Sequence, residues 1–397
     1  MLKVLLIGAP HQEFMTIRRA LLRLNLDCQV SRADNTISED ELRAYDVLHF
    51  WQRPSMSIKL RNVRQRKITY DHFGFPFGDE EVWDVVIHVS KSCFARCARR
   101  LRIDPSLLWG RHIVSYLPVD TDLFSPLRFR QEEIMELREE LGVGPNEVLL
   151  GRSGRPDIFK WDFFSVNLLA KLRIMDIKAK MLVIGGIPEI IKREITKKRL
   201  WEHFIEVPYT AEREEVARYL ASIDIYVHSA FIGESLGRAI MEAMAMEKPV
   251  IVSYKPWADN APTEYIENFK CGLLCTSVEE ASRFVAYLIK NPRIAKKIGI
   301  NARRKVVDLC DSKLVAKNLF AIYRGSVQAE ESIVPSKEDV ISWCRVEYPR
   351  THSEKIGVHR ILYLTCLNMR KNRLALALPS LQRVITSFNS LDLSLLP

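Results

Sequence analysis

Glu234 and Glu242 stand eight positions apart in the stretch FIGESLGRAIMEAMAMEKPVIV, residues 231–252. The second lies inside an otherwise apolar helical run, where a carboxylate costs free energy unless something pairs with it; a bound ligand is one such partner. Gly233 and Ser235 read as a turn after the apolar strand DIYVHSA, with a helix starting near Leu236. Free N–H groups and the positive end of the dipole make a helix start an anion site. Glu234, in the turn, is placed to accept hydrogen bonds from hydroxyls beside such an anion. Glu242 lies roughly 12 Å farther along if the whole stretch is helical, a reach comparable to a diphosphate with a sugar at each end. Carboxylates bind vicinal hydroxyls bidentately, as the ribose-binding acid of dinucleotide folds does, so one glutamate would hold a ribose and the other a second sugar. The same spacing also fits an amphipathic helix whose acidic residue faces solvent or caps a neighbour.

A scaffold that positions such residues is visible around them. In residues 1–125, short apolar runs (KVLLIGA, CQVSRA, DVLHFW, ITYDHF, VVIHVS) alternate with helical patterns such as FMTIRRALLRLNL. Strands alternating with helices argue an α/β unit with a parallel sheet. After the Pro- and Asp-rich segment SYLPVDTDLFSP the alternation restarts with EVLLGRSGR, AKMLVIGG, HFIEVPYT and DIYVHSA, giving a second unit over residues 126–325. Residues 326–397 read as a linker followed by a helical appendage, HRILYLTCLNMRKNRLALALPSLQRVI. Two doubly wound, Rossmann-like units predict a ligand cleft where the carboxyl ends of their strands face each other.

Composition narrows the class. The chain has 397 residues, 47% hydrophobic and 27% charged, which suits two folded domains plus an appendage and excludes disordered or fibrous classes. No apolar run reaches the roughly 18 residues of a membrane-spanning helix. The start MLKVLLIGAPHQEF lacks a leader pattern, and eight scattered cysteines read as reduced thiols, so a cytoplasmic protein is expected. Cys93 and Cys97, like Cys271 and Cys275, have a three-residue gap with no accompanying histidine pattern. The net charge of +10 gathers in RPSMSIKLRNVRQRK, from Arg53, and KSCFARCARRLR, from Lys91. Such patches are either solvated faces or attractors of anionic partners. Interleaved apolar residues in CFARCARRL also allow an interfacial helix on an anionic membrane surface, hence a peripheral location at the inner membrane face.

The run GESLGRAIMEAMAMEKPVIV resembles the E-x7-E signature of the GT-B glycosyltransferases, in particular the large retaining group called family 4. In the expected order, SYLPVDTDLFSP resembles that group's segment between domains, LLGRSGRPDIFKW its first loop of the second domain, and EVARYLASIDIYVHSA the helix and strand before the glutamates. These matches span about residues 115–310; the N-terminal half matches only in layout. The resemblance implies a GT-B fold, a nucleotide diphosphate sugar as donor and a sugar or lipid-linked acceptor. It implies no metal, no cofactor and no nucleic-acid partner.

By the same resemblance Glu234 contacts the transferred sugar, Glu242 binds ribose hydroxyls, and the backbone at Gly233, Ser235 and Leu236 meets the diphosphate. Lys160 matches the basic residue that neutralises the leaving group. Its arginine partner is Arg152, directly after the strand, or Arg155, whose shorter spacing to Lys160 is closer to the usual one. Gly8 occupies the place of the first-domain glycine-rich loop, without the usual double glycine. His72 resembles the histidine that reaches the sugar, with Asp71 available to orient it; His11 and His88 are weaker candidates. Pro208 and Tyr209 fall where relatives cradle the base, and Glu264 receives no role. Two other readings remain: an epimerase or phosphorylase on the same architecture, and a non-catalytic scaffold whose basic patches bind nucleic acid or membrane. The last has no need for Glu234, Glu242 and Lys160 together.

Overall fold

Strands buried on both faces read as continuous apolar runs and assemble into parallel sheets covered by helices, and this chain does so twice. The structure is a computed structural model that describes residues 1–8, 12–26, 28–33, 38–51, 60–61, 63–72, 74, 80–255, 259–325 and 335–347. The first sheet contains β1 (Leu2–Ile7), β2 (Cys28–Ala33), β3 (Val47–Phe50), β4 (Arg66–Asp71), β5 (Val85–His88) and β6 (His112–Val114), in the order β2-β1-β3-β4-β5-β6. Its pairings are all parallel. The second contains β7 (Val148–Ser153), β8 (Ala179–Ile184), β9 (Phe204–Val207), β10 (Ile225–His228), β12 (Val250–Ser253) and β14 (Leu273–Cys275), in the order β14-β12-β10-β7-β8-β9. These pairings are also parallel. A two-residue ladder between β11 (Gly233–Glu234) and β13 (Asp259–Asn260) stands apart from both sheets.

Strand order selects the site before any side chain is considered. In the second sheet the chain runs outward from β7 through β8 to β9, then returns to place β10 on the other side of β7. That reversal opens a crevice at the carboxyl ends of β7 and β10, the usual place for a ligand in an open parallel sheet. Arg152 and Ser153 end β7, and His228 ends β10.

The chain then crosses back. The Pro292–Cys310 helix packs on the Arg238–Ala245 helix, so closely that a Cβ at Gly299 would overlap the Glu247 carbonyl. The Ser312–Tyr323 helix packs against Gln12–Arg23 of the first unit, and the Tyr323 hydroxyl meets the buried His49 Nδ1 at 2.7 Å. The Lys337–Val346 helix covers the Lys91–Leu101 helix, joining Val340, Trp343 and Cys344 to Phe94, Cys97 and Ala98. The apolar face of CFARCARRL is therefore spent in the protein core and is not available to a membrane surface; only its basic edge faces out. Among the described residues no helix is long and apolar enough to cross a membrane. The segments 326–334 and 348–397, most of the Arg53 basic cluster, and His11 lie outside the described residues.

Gly299→Ala should destabilise the protein by about 1–3 kcal/mol, because the added methyl must push one helix off another. Urea unfolding reads this directly, and a midpoint equal to wild type would show that the two helices are not in this close contact.

Candidate active site

The floor of the crevice is a chain of alternating charges. Arg152 is buried, with its guanidinium carbon 3.9 Å from the centre of the Trp161 ring and Nη1 donating to the Ser229 carbonyl at 2.8 Å. It also donates to the carbonyl of Lys160, and so ties the β7 strand end to the Ile158–Lys160 turn. Burial lowers its pKa, opposed chiefly by Asp162. Asp162 in turn accepts from Lys255 Nζ and from Ser229 Oγ, each at 2.6 Å. Burial opposes ionisation of Asp162, but Lys255, Ser229 and Arg152 together outweigh it and keep the carboxyl below its ordinary range.

Glu234 sits above this floor on the short β11 ladder. Gly233 has φ +71°, and a Cβ there would overlap the Asp259 carbonyl, so only glycine lets the ladder form. The Glu234 carboxylate takes Lys160 Nζ at 2.7 Å on Oε2 and His228 Nε2 at 2.9 Å on Oε1. Burial pushes against its ionisation, yet Lys160 and His228 together hold it well below the usual carboxylate range. The helix begins later than the Leu236 start expected from the sequence: Gly237, at φ +84°, precedes Arg238–Ala245. A left-handed residue ends the turn and starts the helix two positions on, and the Leu236 carbonyl accepts instead from the Tyr265 hydroxyl at 2.7 Å.

Glu242 is buried, as its apolar surroundings suggested, but its pairing group is not only a ligand's to supply. Oε1 faces Arg238 Nε at 3.1 Å and contacts Arg213. Arg238 and Glu242 are four apart on one helix, a pairing legible in the sequence; Arg213 comes from another helix and was missed. Oε2 of Glu242 makes no hydrogen bond among the described residues and is open to a hydroxyl donor.

The first unit supplies the opposite wall. His72 Nε2 lies 3.1 Å from the Trp51 carbonyl and donates to it, which fixes the ring. Asp71, expected to orient His72, directs its carboxylate elsewhere: it accepts from Gly74 N at 3.0 Å and faces His88 Nδ1 at 3.1 Å. Successive side chains of a strand leave on opposite faces, which separates these neighbours. Glu264, left without a role, links the two units. Its carboxylate accepts from Lys91 N at 2.8 Å, Ser92 N at 2.6 Å, Ser92 Oγ at 2.6 Å and Tyr116 Oη at 3.1 Å. A side chain of the second unit thus caps a helix of the first, favourably for the helix dipole. Burial raises its pKa, and these donors oppose the rise.

Between the walls lies a cleft of about 480 Å³. His72, Arg152, Arg155, Lys160, Tyr209 and Glu242 line it, together with the Gly233–Leu236 turn and Arg213, Arg238 and His228. Gly8 and Pro208 do not. A Cβ at Gly8 would lie 2.8 Å from that of Trp51, so close strand packing accounts for this glycine. Arg155 is exposed, and its side chain forms no hydrogen bond or ion pair among the described residues, whereas Arg152 is buried with both Nη atoms bonded to the Ser229 and Lys160 carbonyls. His228 was missed by sequence reasoning, although its place at the end of an apolar strand six residues before Glu234 was the available signal.

The two facing sheets and their shared cleft define a GT-B scaffold. Residues 163–305, within the second unit, match the family model described as "Glycosyl transferases group 1". Among curated proteins, the trehalose synthase of Pyrococcus horikoshii is 24% identical over 51% of this chain and 50% of its own length; the chain spans about half the length of the curated relatives it matches. Among solved structures, HepE of Anabaena, crystallised with UDP and glucose, superposes with a TM-score of 0.67 at 16% identity, covering 82% of this chain and 100% of its own. A glycosyltransferase of Rickettsia africae superposes with a TM-score of 0.68 at 16% identity, covering 83% and 99%.

The depressed pKa of Glu234 gives a pH prediction. Its folded value lies below the unfolded value near 4.5, so its stabilisation is complete above that pH and is lost as pH falls towards the folded value. Lys160→Met removes the main cation, leaves a buried carboxylate and should cost about 3 kcal/mol or more at pH 7, with the loss shrinking towards pH 4. Urea midpoints across that range check it; a loss independent of pH would sever the Lys160–Glu234 link.

Proposed function

We propose that the protein is a retaining glycosyltransferase of the family 4 type, which moves a sugar from a nucleotide diphosphate donor to an acceptor hydroxyl. The observation that carries this reading is the pair of buried glutamates, each paired with basic groups, at the switch point of the second sheet. A merely structural helix would have no use for a buried carboxylate with one oxygen left open. The two-unit cleft, the group 1 match and a structural neighbour crystallised with UDP and glucose all support it.

In this reading the bond between the anomeric carbon and the diphosphate oxygen breaks, and its electron pair leaves with the diphosphate. Lys160 and Arg155 neutralise that developing charge, so the leaving group needs no metal ion; charge stabilisation of this kind is commonly the largest catalytic term. Arg155 fits the role better than Arg152, because it is exposed over the cleft and uncommitted while Arg152 is locked into the floor. Glu234 and His72 hold the sugar. Glu242 takes ribose hydroxyls on Oε2, with Oε1 anchored by Arg213 and Arg238. The backbone of Gly233, Ser235 and Leu236 faces the diphosphate, and Tyr209, 59% exposed at the rim, flanks the base. The acceptor hydroxyl oxygen then bonds to the anomeric carbon on the face the diphosphate left, and its proton passes to the departing diphosphate oxygen. A soluble sugar or a lipid-linked acceptor would enter from the His72 side.

Calorimetric titration with UDP and GDP tests donor binding. Glu242→Ala should weaken the preferred nucleotide at least about tenfold, and unchanged affinity would remove Glu242 from the site. Turnover assays with UDP-glucose and a hydroxyl acceptor, read by NMR at the anomeric centre, test the chemistry. Lys160→Ala should lower kcat about 100-fold or more with a much smaller change in donor affinity. Product formed without any acceptor, or with inverted configuration, would overturn the proposed reaction.

A further inference from the structure

Behind the His72 wall, the first unit gathers a second set of reactive side chains that the sugar-transfer reading does not use. His88 ends β5, His112 begins β6, and Cys97 lies on the Lys91–Leu101 helix that covers them. All are buried, with exposures of 0%, 2% and 0%. His88 Nε2 is 3.0 Å from His112 Nδ1, His112 Nδ1 is 3.9 Å from Cys97 Sγ, and the potential ligand atoms all lie within 4.8 Å of one another. Tetrahedral zinc with Zn–N of about 2.0–2.1 Å and Zn–S of about 2.3 Å separates its donors by about 3.3 Å for N–N and about 3.6 Å for N–S. The His88–His112 and His112–Cys97 separations fall within a few tenths of an ångström of those edges, and the His88–Cys97 pair lies within 4.8 Å, so the cluster need close only on that side around a cation.

A second, independent observation is the group behind His88. Asp71 is its cross-strand partner, and the Asp71 carboxylate faces His88 Nδ1 at 3.1 Å. At this distance the two buried atoms are charge neighbours without an aligned hydrogen bond; a turn of the ring that let Nδ1 donate to the carboxylate would present Nε2 as a lone pair, the usual support of a metal ligand. Nε2 is the atom turned towards His112 and Cys97.

We propose that His88 Nε2, His112 Nδ1 and Cys97 Sγ form a structural site for a divalent cation of the zinc type, supported by Asp71. The donor set of imidazole and thiolate suits that cation rather than magnesium or calcium. Loss of the Cys97 thiol proton on binding makes a thiolate, so the cation's two positive charges balance the thiolate and the Asp71 carboxylate inside the core. One exogenous ligand completes the tetrahedron. The cation would tie the Lys91–Leu101 helix to the ends of β5 and β6, and the same helix presents Lys91 and Ser92 to Glu264 across the cleft.

The test uses the full chain, purified without a polyhistidine tag or chelator. Elemental analysis should find about one zinc per chain; cobalt exchanged into the protein should show thiolate-to-cobalt charge-transfer absorption in the near ultraviolet; and chelation should lower Tm. Cys97→Ser and His112→Gln, with folding checked by circular dichroism, should lose the metal. Cys93→Ser should keep it, since Cys93 shares the same helix and burial but not the cluster. Wild-type protein that neither retains zinc nor acquires a thiolate band with cobalt would overturn the proposal and leave a hydrogen-bonded histidine pair. Loss of metal in Cys93→Ser would overturn the ligand assignment.

Discussion

The structure turns on holding two carboxylates among basic side chains inside a protein. Moving a carboxylate out of water is expensive, and only well-placed cations and donors make it tolerable. Here Lys160 and His228 hold Glu234, while Arg213 and Arg238 hold Glu242. These partners are themselves placed by a deeper layer: Arg152 grips the Lys160 turn and Ser229, and Ser229 and Lys255 share Asp162. Each charge is therefore neutralised by a neighbour rather than by solvent, and the cleft floor is rigid before any ligand arrives. Such preorganisation lets fixed charges act on a leaving group without reorganising at the moment of reaction.

A cleft is useful only if its walls stay in register, and the chain secures this with contacts far apart in sequence. Glu264 reaches from the second unit to the helix start at Lys91 and Ser92, and Arg96 of the same helix pairs with Asp259 beside the Glu234 ladder. The returning Ser312–Tyr323 helix adds a third link through Tyr323 and His49. Hydrogen bonds and ion pairs carry the two contacts nearest the cleft.

Much of the fold was legible because its cause is local. Alternating apolar strands and helical segments announced two parallel sheets, and the turn before RAIMEAMAM announced a strand-to-helix junction. The later start at Arg238 was not legible, because it depends on Gly237 adopting a left-handed conformation that packs beneath Tyr265. The interfacial reading of CFARCARRL failed for a related reason: the amphipathic pattern shows that one face must be buried, but not against what, and the Lys337–Val346 helix takes that face.

The sequence by itself determined which residue types the site would hold, since Glu234, Glu242 and Lys160 are tied to strand ends and a helix whose periods are written in neighbouring residues. Tertiary structure alone decided their partners. His228 meets Glu234 because a turn folds back over a strand end, and Arg213 meets Glu242 because β10 returns beside β7. Cys97 comes to His88 and His112 because a helix crosses two strands. Periodicity specifies the direction a side chain faces, whereas proximity between elements depends on strand order and packing, and these are properties of the whole chain.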